Sequence, residues 1–358
     1  MALTWNHKKG PSSFTSMSTR QYGPETTIVG LDGSISALEF SPDGKVLASG
    51  CEDGSVTLFS TFNWKPLHTF VDVSPLTSLV WHPRVEGLLF CGFKSGDIHT
   101  LQINRVRLKE SPPTSHRYPK TFLQAGVRIW TDANRDPIHC LSHDPRLNIL
   151  AVGSGKGVVL ANYDTHGEQT ASWSKIRRLP PPPGFPQLCA TELPEPTPQS
   201  IHFTQGQDSI IVSYLHHGVT LVSTGHFSCA FRMTLFQVLG SKFSVSYLAD
   251  HAMVVPNVRL ISPSNLYPIS SFSLSGRSCL LADQKVIATT NLFDGVDYYD
   301  LKNQSLVDSL RMTIADNIIA PVVSGNAGSF IVSGSSGAVH VLQAFPAAIV
   351  QTLELESE

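Results

Sequence analysis

A turn glycine recurs along this sequence at a regular stride, and that stride restricts the chain to a repeat architecture. Six glycines mark it, each expected at a tight turn between two strand-like runs: Gly54, Gly96, Gly157, Gly218, Gly295 and Gly337. The successive intervals are 42, 61, 61, 77 and 42 residues. Repeats of this length that are rich in short strands indicate a protein built from similar β-sheets.

The first repeat, Ser34–Phe70, shows what one unit contains. Apolar residues alternate in four short runs, which places apolar side chains on one face of each strand. The first two runs are separated by Ser41–Gly44, which reads Ser-Pro-Asp-Gly and favours a turn. The next two are separated by Asp53-Gly54, which suits a two-residue hairpin turn because both residues need positive φ. The stretch therefore predicts a four-stranded antiparallel meander.

The longer intervals contain recognisable insertions. Each interval of 61 residues is one repeat of 42 with a 19-residue excess. The first excess is the basic segment 103–120, and the second is the proline-rich segment 180–198. The interval of 77 residues approximates two short repeats, and residues 240–274 supply four strand-like runs for the second of them. This count predicts seven units, with six as the fallback if 240–274 form an insertion.

The first repeat resembles a WD repeat, the blade unit of WD-repeat β-propellers. The matching motifs are Ser41–Gly44, Leu-Ala-Ser-Gly at 47–50, and Asp53-Gly54. The Gly-His and Trp-Asp dipeptides of the family are replaced by Gly30-Leu31 and Phe59-Ser60. The resemblance implies an all-β fold, a single seven-bladed WD-type β-propeller. Its structural turn and blade residues would be Ser49, Asp53, Gly54, Gly96, Gly157, Gly218, Asp294, Gly295 and Gly337.

We expect a disordered tail over 1–23 and one propeller over 24–355. The predicted blades lie near 34–71, 76–124, 138–176, 199–236, 240–274, 276–311 and 316–355. An open ring would leave sheet edges able to pair with other chains, so closure matters. Either Ala348–Leu355 or Thr26–Leu31 could supply the outermost strand of the final blade.

Composition argues against several classes of function. The formal net charge of −2 provides no global basic field for nucleic acid or acidic lipid. No run approaches the ~18 apolar residues of a membrane helix, so no membrane insertion is expected. The six cysteines are scattered without a Cys-x-x-Cys pair, which favours buried free thiols in a reducing compartment. We therefore expect an intracellular protein, cytoplasmic or nuclear.

Motifs for catalysis and metal binding are weak in this sequence. Gly153–Gly157 lacks the spacing of a phosphate loop and is interpreted as a turn. The denser histidine groups, His139–His143 and His216-His217, do not have zinc-ligand spacing. No Gly-x-Ser-x-Gly nucleophile elbow is present. We expect no enzyme and no cofactor, with a propeller-type hydrolase as the alternative.

The resemblance implies a non-catalytic scaffold that binds other proteins. Partners would contact the face that carries the b–c turns, which join the second and third strands of each blade. The candidate contacts there are Glu52, Phe93, Lys94, His216, His217 and Phe293. Phe93 and Phe293 are the expected anchors, because aromatic side chains contribute most to interfaces. We expect a monomeric propeller within a larger complex.

Two segments outside the regular repeats are further candidates for binding. Arg177, Pro180 and Pro183 form an Arg-x-x-Pro-x-x-Pro motif in a proline run that favours polyproline II. The alternative for this segment is a stiff connector between blades. The insertion 103–120 is a candidate binder of phosphate or acidic partners, with a solvated loop as its alternative. Its cations are Arg105, Arg107, Lys109, Arg117 and Lys120.

Overall fold

A computed structural model gives the architecture of the chain. It describes residues 27–354, with gaps of one to four residues and longer gaps at 106–120, 165–171, 183–194, 224–228, 253–274 and 313–319. The regular elements in the described ranges are β-strands joined in antiparallel sheets. None of these residues forms a helix long and apolar enough to cross a membrane.

The strands follow one another in chain order through six sheets. Sheet 1 consists of β1 (Ile35–Phe40), β2 (Val46–Cys51), β3 (Ser55–Ser60) and β4 (Pro66–Val71). Sheet 2 consists of β5 (Leu76–Trp81), β6 (Leu88–Phe93), β7 (Asp97–Arg105) and β8 (Thr121–Thr131). Sheet 3 consists of β9 (Ile138–Asp144), β10 (Ile149–Ser154), β11 (Gly157–Asp164) and β12 (Ser172–Arg178).

The second half of the chain forms the other three sheets. Sheet 4 consists of β13 (Pro198–Phe203), β14 (Ser209–Tyr214), β15 (Gly218–Ser223), β16 (Cys229–Val238), β17 (Ser241–Leu248) and β18 (His251–Ala252). Sheet 5 consists of β19 (Ser275–Leu280), β20 (Val286–Asn291), β21 (Gly295–Asp300) and β22 (Ser305–Arg311). Sheet 6 consists of β23 (Val322–Gly325), β24 (Phe330–Ser335), β25 (Ala338–Gln343) and β26 (Ala348–Glu354).

The turn between β1 and β2 shows how local sequence sets these elements. Ser41 Oγ donates to Asp43 Oδ1 at 2.7 Å and accepts the Val46 N–H at 3.0 Å. Gly44 has a φ of +68°, a left-handed conformation that glycine adopts without a steric penalty. The turn predicted from the Ser-Pro-Asp-Gly sequence is therefore confirmed.

The first strand of each sheet lies at the centre of the ring. These inner strands are β1, β5, β9, β13, β19 and β23. Each packs against the inner strand of the next sheet, from β1 through to β23. Residues of all six inner strands surround a central cavity of about 420 Å³. Sheets set around a common channel in this way form a β-propeller.

The segment 240–274, predicted as a fifth blade, does not form a sheet of its own in the described residues. Its described part, β17 and β18, extends sheet 4 by pairing onto β16. Residues 253–274 lie outside the described ranges. Sheets 4 and 5 contact each other directly, since Ser200 Oγ and Ser278 Oγ are 2.7 Å apart. Six sheets are thus described, the fallback number, and a seventh blade stays a prediction.

Apolar side chains fill the junctions between consecutive sheets. At the 1–2 junction, Leu76, Leu79 and Trp81 of β5 pack in one cluster with aliphatic residues of β2 and β3. Gly50 leaves room for this packing, because a Cβ at that position would overlap the Leu76 side chain. Trp81 Nε1 also donates to the Glu39 carbonyl at 3.1 Å. Each well-buried side chain of this kind contributes about 1.5–3 kcal/mol.

The outermost strand of sheet 6 comes from the C-terminal segment. β26 pairs with β25 along its length, from Ala348 opposite Gln343 to Glu354 opposite Ala338. The described residues of the other candidate segment, Thr27, Ile28, Gly30 and Leu31, belong to no strand. Of the two alternatives for this strand, the C-terminal one is therefore confirmed.

Candidate functional site

The b–c turn of sheet 1 is part of the best-defined candidate surface. Gly54 N donates to the Cys51 carbonyl at 3.1 Å, which closes the turn. Asp53 Oδ1 accepts the Ser55 N–H at 2.8 Å, and hydrogen bonds from Ser55 lower the pKa of the Asp53 carboxyl. Gly54 has a φ of +86°, and a Cβ there would overlap the Asp72 carbonyl oxygen. The turn therefore lies directly on the connection between sheets 1 and 2.

That connection joins the first b–c turn to the second. Asp72 Oδ1 accepts the Ser74 N–H at 2.9 Å. Ser74 Oγ accepts the Ser95 N–H at 2.8 Å, and Lys94 N donates to the Pro75 carbonyl at 2.9 Å. The two turns and the segment between them form one hydrogen-bonded frame.

Four residues of this frame are exposed: Asp53, whose carboxylate is hydrogen-bonded within its own turn, and three others, namely Glu52, Val73 and Lys94. We call these three residues the turn surface. The side chain of Val73 is fully exposed, with a carboxylate on one neighbouring turn and an ammonium on the other. Since hydrogen bonds already hold the backbone in place, binding here would cost little conformational entropy. The arrangement suits an apolar contact flanked by two charge contacts.

Phe93, one of the two expected anchors, lies beneath the turn surface. No part of its side chain is exposed. Its ring centroid is 6.5 Å from that of Phe70 and 5.2 Å from that of His99. His99 Nδ1 in turn lies 3.6 Å from Asp72 Oδ2. Phe93 therefore supports the frame from inside, and we do not retain it as an anchor.

The other residues predicted to contact partners on this face differ in whether they are exposed. Glu52 and Lys94 are exposed, as expected. His217 is buried in the b–c turn of sheet 4. His216 and Phe293 lie outside the described residues. The structure thus places Glu52 and Lys94 on the b–c turns of consecutive sheets, 1 and 2, and His217 on that of sheet 4.

Val73 was not identified from the sequence. The signal was present in the alternation that ends β4: Phe70 packs against the core, and Val71 is 67% exposed. Val73 follows two residues later, in an Asp-Val-Ser-Pro segment that lies beyond the end of β4. Val73 could have been identified as an apolar residue that continues the outward-facing alternation of a strand into the following connection.

The turn glycines largely adopt the conformation that the stride requires. Positive φ angles of 86°, 84°, 68° and 140° occur at Gly54, Gly96, Gly218 and Gly295. In the third repeat, Gly155 holds the left-handed position, with a φ of 51°, and Gly157 begins β11. Gly337 and Asp294 lie outside the described residues.

Ser49 and Asp53, two of the blade residues that the WD resemblance implies, are not hydrogen-bonded to each other in sheet 1. Ser49 is buried, and its Oγ has no hydrogen-bond partner among the described groups. Asp53 bonds within its own turn instead. Sheet 5 has a buried polar network, in which Asp297 accepts from Asn291 Nδ2 at 3.0 Å and Ser309 Oγ at 2.7 Å.

A serine–histidine cluster borders the central channel, but its geometry does not suit nucleophilic catalysis. His202 Nε2 is 2.9 Å from the Ser278 carbonyl and 3.1 Å from Ser278 Oγ. Because a carbonyl can only accept, Nε2 carries the proton and cannot act as a base toward Ser278. Burial lowers the pKa of His202 to about 4. The cluster instead connects sheets 4 and 5 through Ser200 and Ser213, whose hydroxyls both lie 2.7 Å from Ser278 Oγ.

Metal ligation finds no support in the described part of the chain. No three His, Cys, Asp or Glu side chains there are close enough to hold an ion. Burial raises the pKa of Cys140 and of Cys279 to about 12, which disfavours the thiolate that metals bind.

The proline motif begins on sheet 3. Arg177 is exposed on β12, and the next apolar residue, Leu179, is buried and donates its N–H to the Val158 carbonyl at 2.9 Å. The start of the segment thus packs on the propeller, as a connector would. Outside the described residues lie Pro180, Pro183 and residues 106–120 of the basic insertion.

Comparisons with known proteins agree with this architecture. The family model of the anaphase-promoting complex subunit 4 WD40 domain matches residues 25–84. The periodic tryptophan protein 2 homolog of Dictyostelium discoideum is 25% identical over 139 residues. That match covers 37% of this chain and 13% of the relative, so the chain corresponds to a small part of it.

A solved structure extends the fold similarity to nearly the whole chain. The β-propeller domain of Myceliophteria thermophila Cps50 (Swd1) superimposes with a TM-score of 0.60. The superposition covers 94% of this chain and 90% of that domain at 13% sequence identity. Together with the sheets and turns described above, these similarities define the class: the chain is a β-propeller with similarity to WD-repeat proteins. Such a fold suggests a scaffold for protein interactions.

Proposed function

We propose that the chain is a non-catalytic scaffold that binds another protein through the turn surface. The observation that carries the proposal is the fully exposed side chain of Val73, on a hydrogen-bonded frame that also carries the exposed Glu52 and Lys94. Burial of one such valine would contribute about 1.5–3 kcal/mol. That contribution corresponds to roughly a tenfold to hundredfold gain in affinity.

The chemistry of the turn surface describes the segment that would bind it. An apolar side chain would cover Val73, a basic group would face Glu52, and an acidic group would face Lys94. Charge pairs at the rim of such a contact mainly select the partner, and the buried apolar centre supplies most of the affinity.

Affinity purification with mass spectrometry from the native cell tests this proposal. The variants are Val73→Asp and Lys94→Glu, with Phe62→Asp as the matched control. Phe62 is 83% exposed in the turn between β3 and β4, at the opposite end of the same sheet. We expect both turn-surface variants to lose the same partner while the control keeps it. An unchanged set of partners for Val73→Asp would overturn the proposal.

Phe293 and His216 stay proposed contacts of the same face, because both lie outside the described residues. The same purification with Phe293→Ala tests the first of them. Loss of the partner that Val73→Asp also loses would place Phe293 in this interface, and retention would remove it.

We extend the proposal to a monomeric propeller inside the cell that acts within a complex. Its support is the burial of four free cysteines, Cys51, Cys91, Cys140 and Cys279, which suits a reducing compartment. Light scattering on the purified chain should give a mass near 38.9 kDa. A stable dimer would contradict the monomer, and a secreted tagged chain would contradict the location.

A further inference from the structure

Five of the inner strands carry a β-bulge at the same place. In each of them one extra residue stands opposite the end of the following strand, beside the b–c turn. A bulge leaves its extra residue out of the ladder and redirects that residue's side chain. All five bulge residues are polar, and we call them the bulge ring. In chain order they are Ser36, Thr77, His139, Gln199 and Arg277.

Most of the bulge ring borders the central cavity of about 420 Å³. The members that do so are Thr77, His139, Gln199 and Arg277. Because each bulge lies opposite the last residues before a b–c turn, these side chains are at the b–c end of the channel. The cavity has the size of a small-molecule site.

The two hydroxyl members of the ring are already bonded within their own sheets. Ser36 Oγ donates to the Gly50 carbonyl at 3.1 Å, and Thr77 Oγ1 donates to the Gly92 carbonyl at 2.9 Å. Since a hydroxyl has one proton, neither group can donate to a ligand as well. These two residues close their own bulges.

His139, Gln199 and Arg277 make no such bond. All three side chains are half-buried, and none has a hydrogen-bond or ion-pair partner in the described part of the chain. Polar groups that are partly removed from water are normally paired, and leaving them unpaired is costly. Three successive inner strands, β9, β13 and β19, thus present unused donors to one cavity.

Arg277 supplies the positive charge of this site. Burial raises the pKa of Cys140 to about 12, and the Arg277 guanidinium opposes that shift. The guanidinium therefore lies near β9, although Arg277 belongs to β19. Since β13 lies between these two strands in the ring, the guanidinium reaches toward the channel.

The other titratable groups at the cavity leave this charge in place. Burial lowers the pKa of His139 and of His202, so both rings are neutral at pH 7. Glu39 borders the same cavity three residues beyond Ser36, about 10 Å further along the channel. Its surface is open to the cavity, but burial among the inner strands raises its pKa to about 7. The Glu39 carboxyl is therefore only partly charged at neutral pH and opposes an anion weakly.

The number of donors favours phosphate over carboxylate. A guanidinium alone can occupy both oxygens of a carboxylate with two parallel hydrogen bonds. The neutral His139 ring adds one N–H, and the Gln199 amide adds two. A phosphate monoester has three terminal oxygens and can use all three side chains at once.

We propose that the b–c end of the channel binds the phosphate group of a small phosphate monoester, held by Arg277, Gln199 and His139. The rest of the ligand would extend into the cavity, where Thr77 Oγ1 can accept a hydrogen bond and Leu38 offers an apolar contact. This site goes beyond the function proposed above. It uses no residue of the turn surface, so either proposal can fail alone.

Titration of the full chain with glucose 6-phosphate, followed by ³¹P NMR at constant ionic strength, tests the site. Arg277→Gln should weaken binding at least about tenfold, because it removes a charged, two-pronged donor. The matched control is Arg84→Gln, which removes the same charge from the exposed turn between β5 and β6, at the opposite end of the channel. The control should bind within about twofold of the wild type. No binding by the wild type, or equal binding by Arg277→Gln, would overturn the proposal.

Two further variants separate a binding role from a folding role. Gln199→Leu should weaken binding by about threefold or more through the loss of neutral hydrogen bonds, and Glu39→Gln should not weaken it. Both should leave the melting temperature of the unliganded chain within about 2 °C of the wild type. If Arg277→Gln fails to fold, Gln199→Leu decides, and undiminished affinity in that variant would overturn the proposal.

Competing probes distinguish the sources of the anion. Inorganic phosphate should displace glucose 6-phosphate, whereas succinate, a dicarboxylate, should need at least about a tenfold higher concentration. Competition by succinate as strong as that by phosphate would overturn the preference for phosphate. A phosphoserine peptide that bound about tenfold more tightly than glucose 6-phosphate would overturn the small-molecule ligand in favour of a phosphorylated protein segment.

Discussion

The inner strands β1 and β5 carry equivalent apolar triples that differ in exposure. Leu76, Leu79 and Trp81 of β5 are buried against sheet 1. Ile35, Leu38 and Phe40 of β1 are almost half exposed. Since both triples pair with equivalent positions of the following strand, the difference teaches that burial depends on what packs against a strand and not on the strand that carries the residues.

The largest effect should come from truncating equivalent residues of the two inner strands, Leu76 of β5 and Ile35 of β1. Leu76→Ala should lower the free energy of unfolding by about 3 kcal/mol, because it leaves a cavity in a closed core. Ile35→Ala should lower it by less than about 1 kcal/mol, because its side chain already contacts water. Urea unfolding of both variants and the wild type measures the difference. Equal losses would mean that Ile35 is buried as fully as Leu76.

A second comparison adds a methyl group to a filled junction. Gly50→Ala places a Cβ where the Leu76 side chain lies, and overpacking should cost about 2 kcal/mol. Gly157→Ala is the matched control, because a Cβ there meets nothing within 4 Å and the backbone is not left-handed. The control should change the free energy of unfolding by less than about 0.5 kcal/mol. If Gly50→Ala changed the free energy of unfolding as little as Gly157→Ala does, that result would contradict the tight contact at the 1–2 junction.

The 2–3 junction adds a smaller, pH-dependent effect through two histidines. The rings of His82 and His143 lie 4.4 Å apart, and Asn148 Oδ1 lies 3.1 Å from His82 Nε2. His82 Nδ1 accepts the Arg84 N–H at 3.1 Å, so its Nε2 carries the proton and the ring is neutral. Burial lowers the pKa of both histidines, that of His143 to about 4, and the two rings oppose each other's protonation.

The sign of the pH effect follows from these lowered pKa values. An unfolded histidine titrates near pH 6.5, so the unfolded chain takes up protons before the folded one does. The stability associated with His143 is complete above pH 6.5 and is lost as the pH falls toward 4. Between pH 7 and 4.5 we expect His143 to lower the free energy of unfolding by about 1 kcal/mol, a figure that already allows for its partial exposure. Urea unfolding of His143→Phe at the two pH values measures this effect, and the variant should lose about 1 kcal/mol less than the wild type on acidification. An unchanged loss would contradict the assignment of the effect to His143.

Strands and turns were predictable from the sequence because their determinants are local. The Ser41–Gly44 turn and the strand β2 depend on residues within a few positions of each other, and both appear as expected. The positions of the turn glycines were predictable for the same reason, although in the third repeat Gly155 takes the left-handed position.

Features that depend on distant partners were not predictable in this way. Phe93 stands beside a turn, yet it lies at the end of β6 opposite Leu76 and is buried by a neighbouring sheet. The strand-like runs of 240–274 suited a separate blade, but β17 pairs with the extended β16 instead. The two apolar triples look alike in the sequence, yet the β5 triple is buried and the β1 triple is almost half exposed. Val73 depends on both local and distant determinants. Its exposure follows from the local alternation at the end of β4, whereas its charged neighbours belong to two different turns.

Cysteine labelling of the isolated, folded chain tests the central claim most directly. Leu38→Cys and Leu79→Cys place a thiol at equivalent positions of β1 and β5, and peptide mass spectrometry distinguishes each from the native cysteines. Under native conditions we predict that the thiol at position 38 reacts with iodoacetamide within a few-fold of the rate in urea. The thiol at position 79 should react at least a hundredfold more slowly than in urea. Equal protection at both positions would show that the two inner strands are buried alike and would contradict the account.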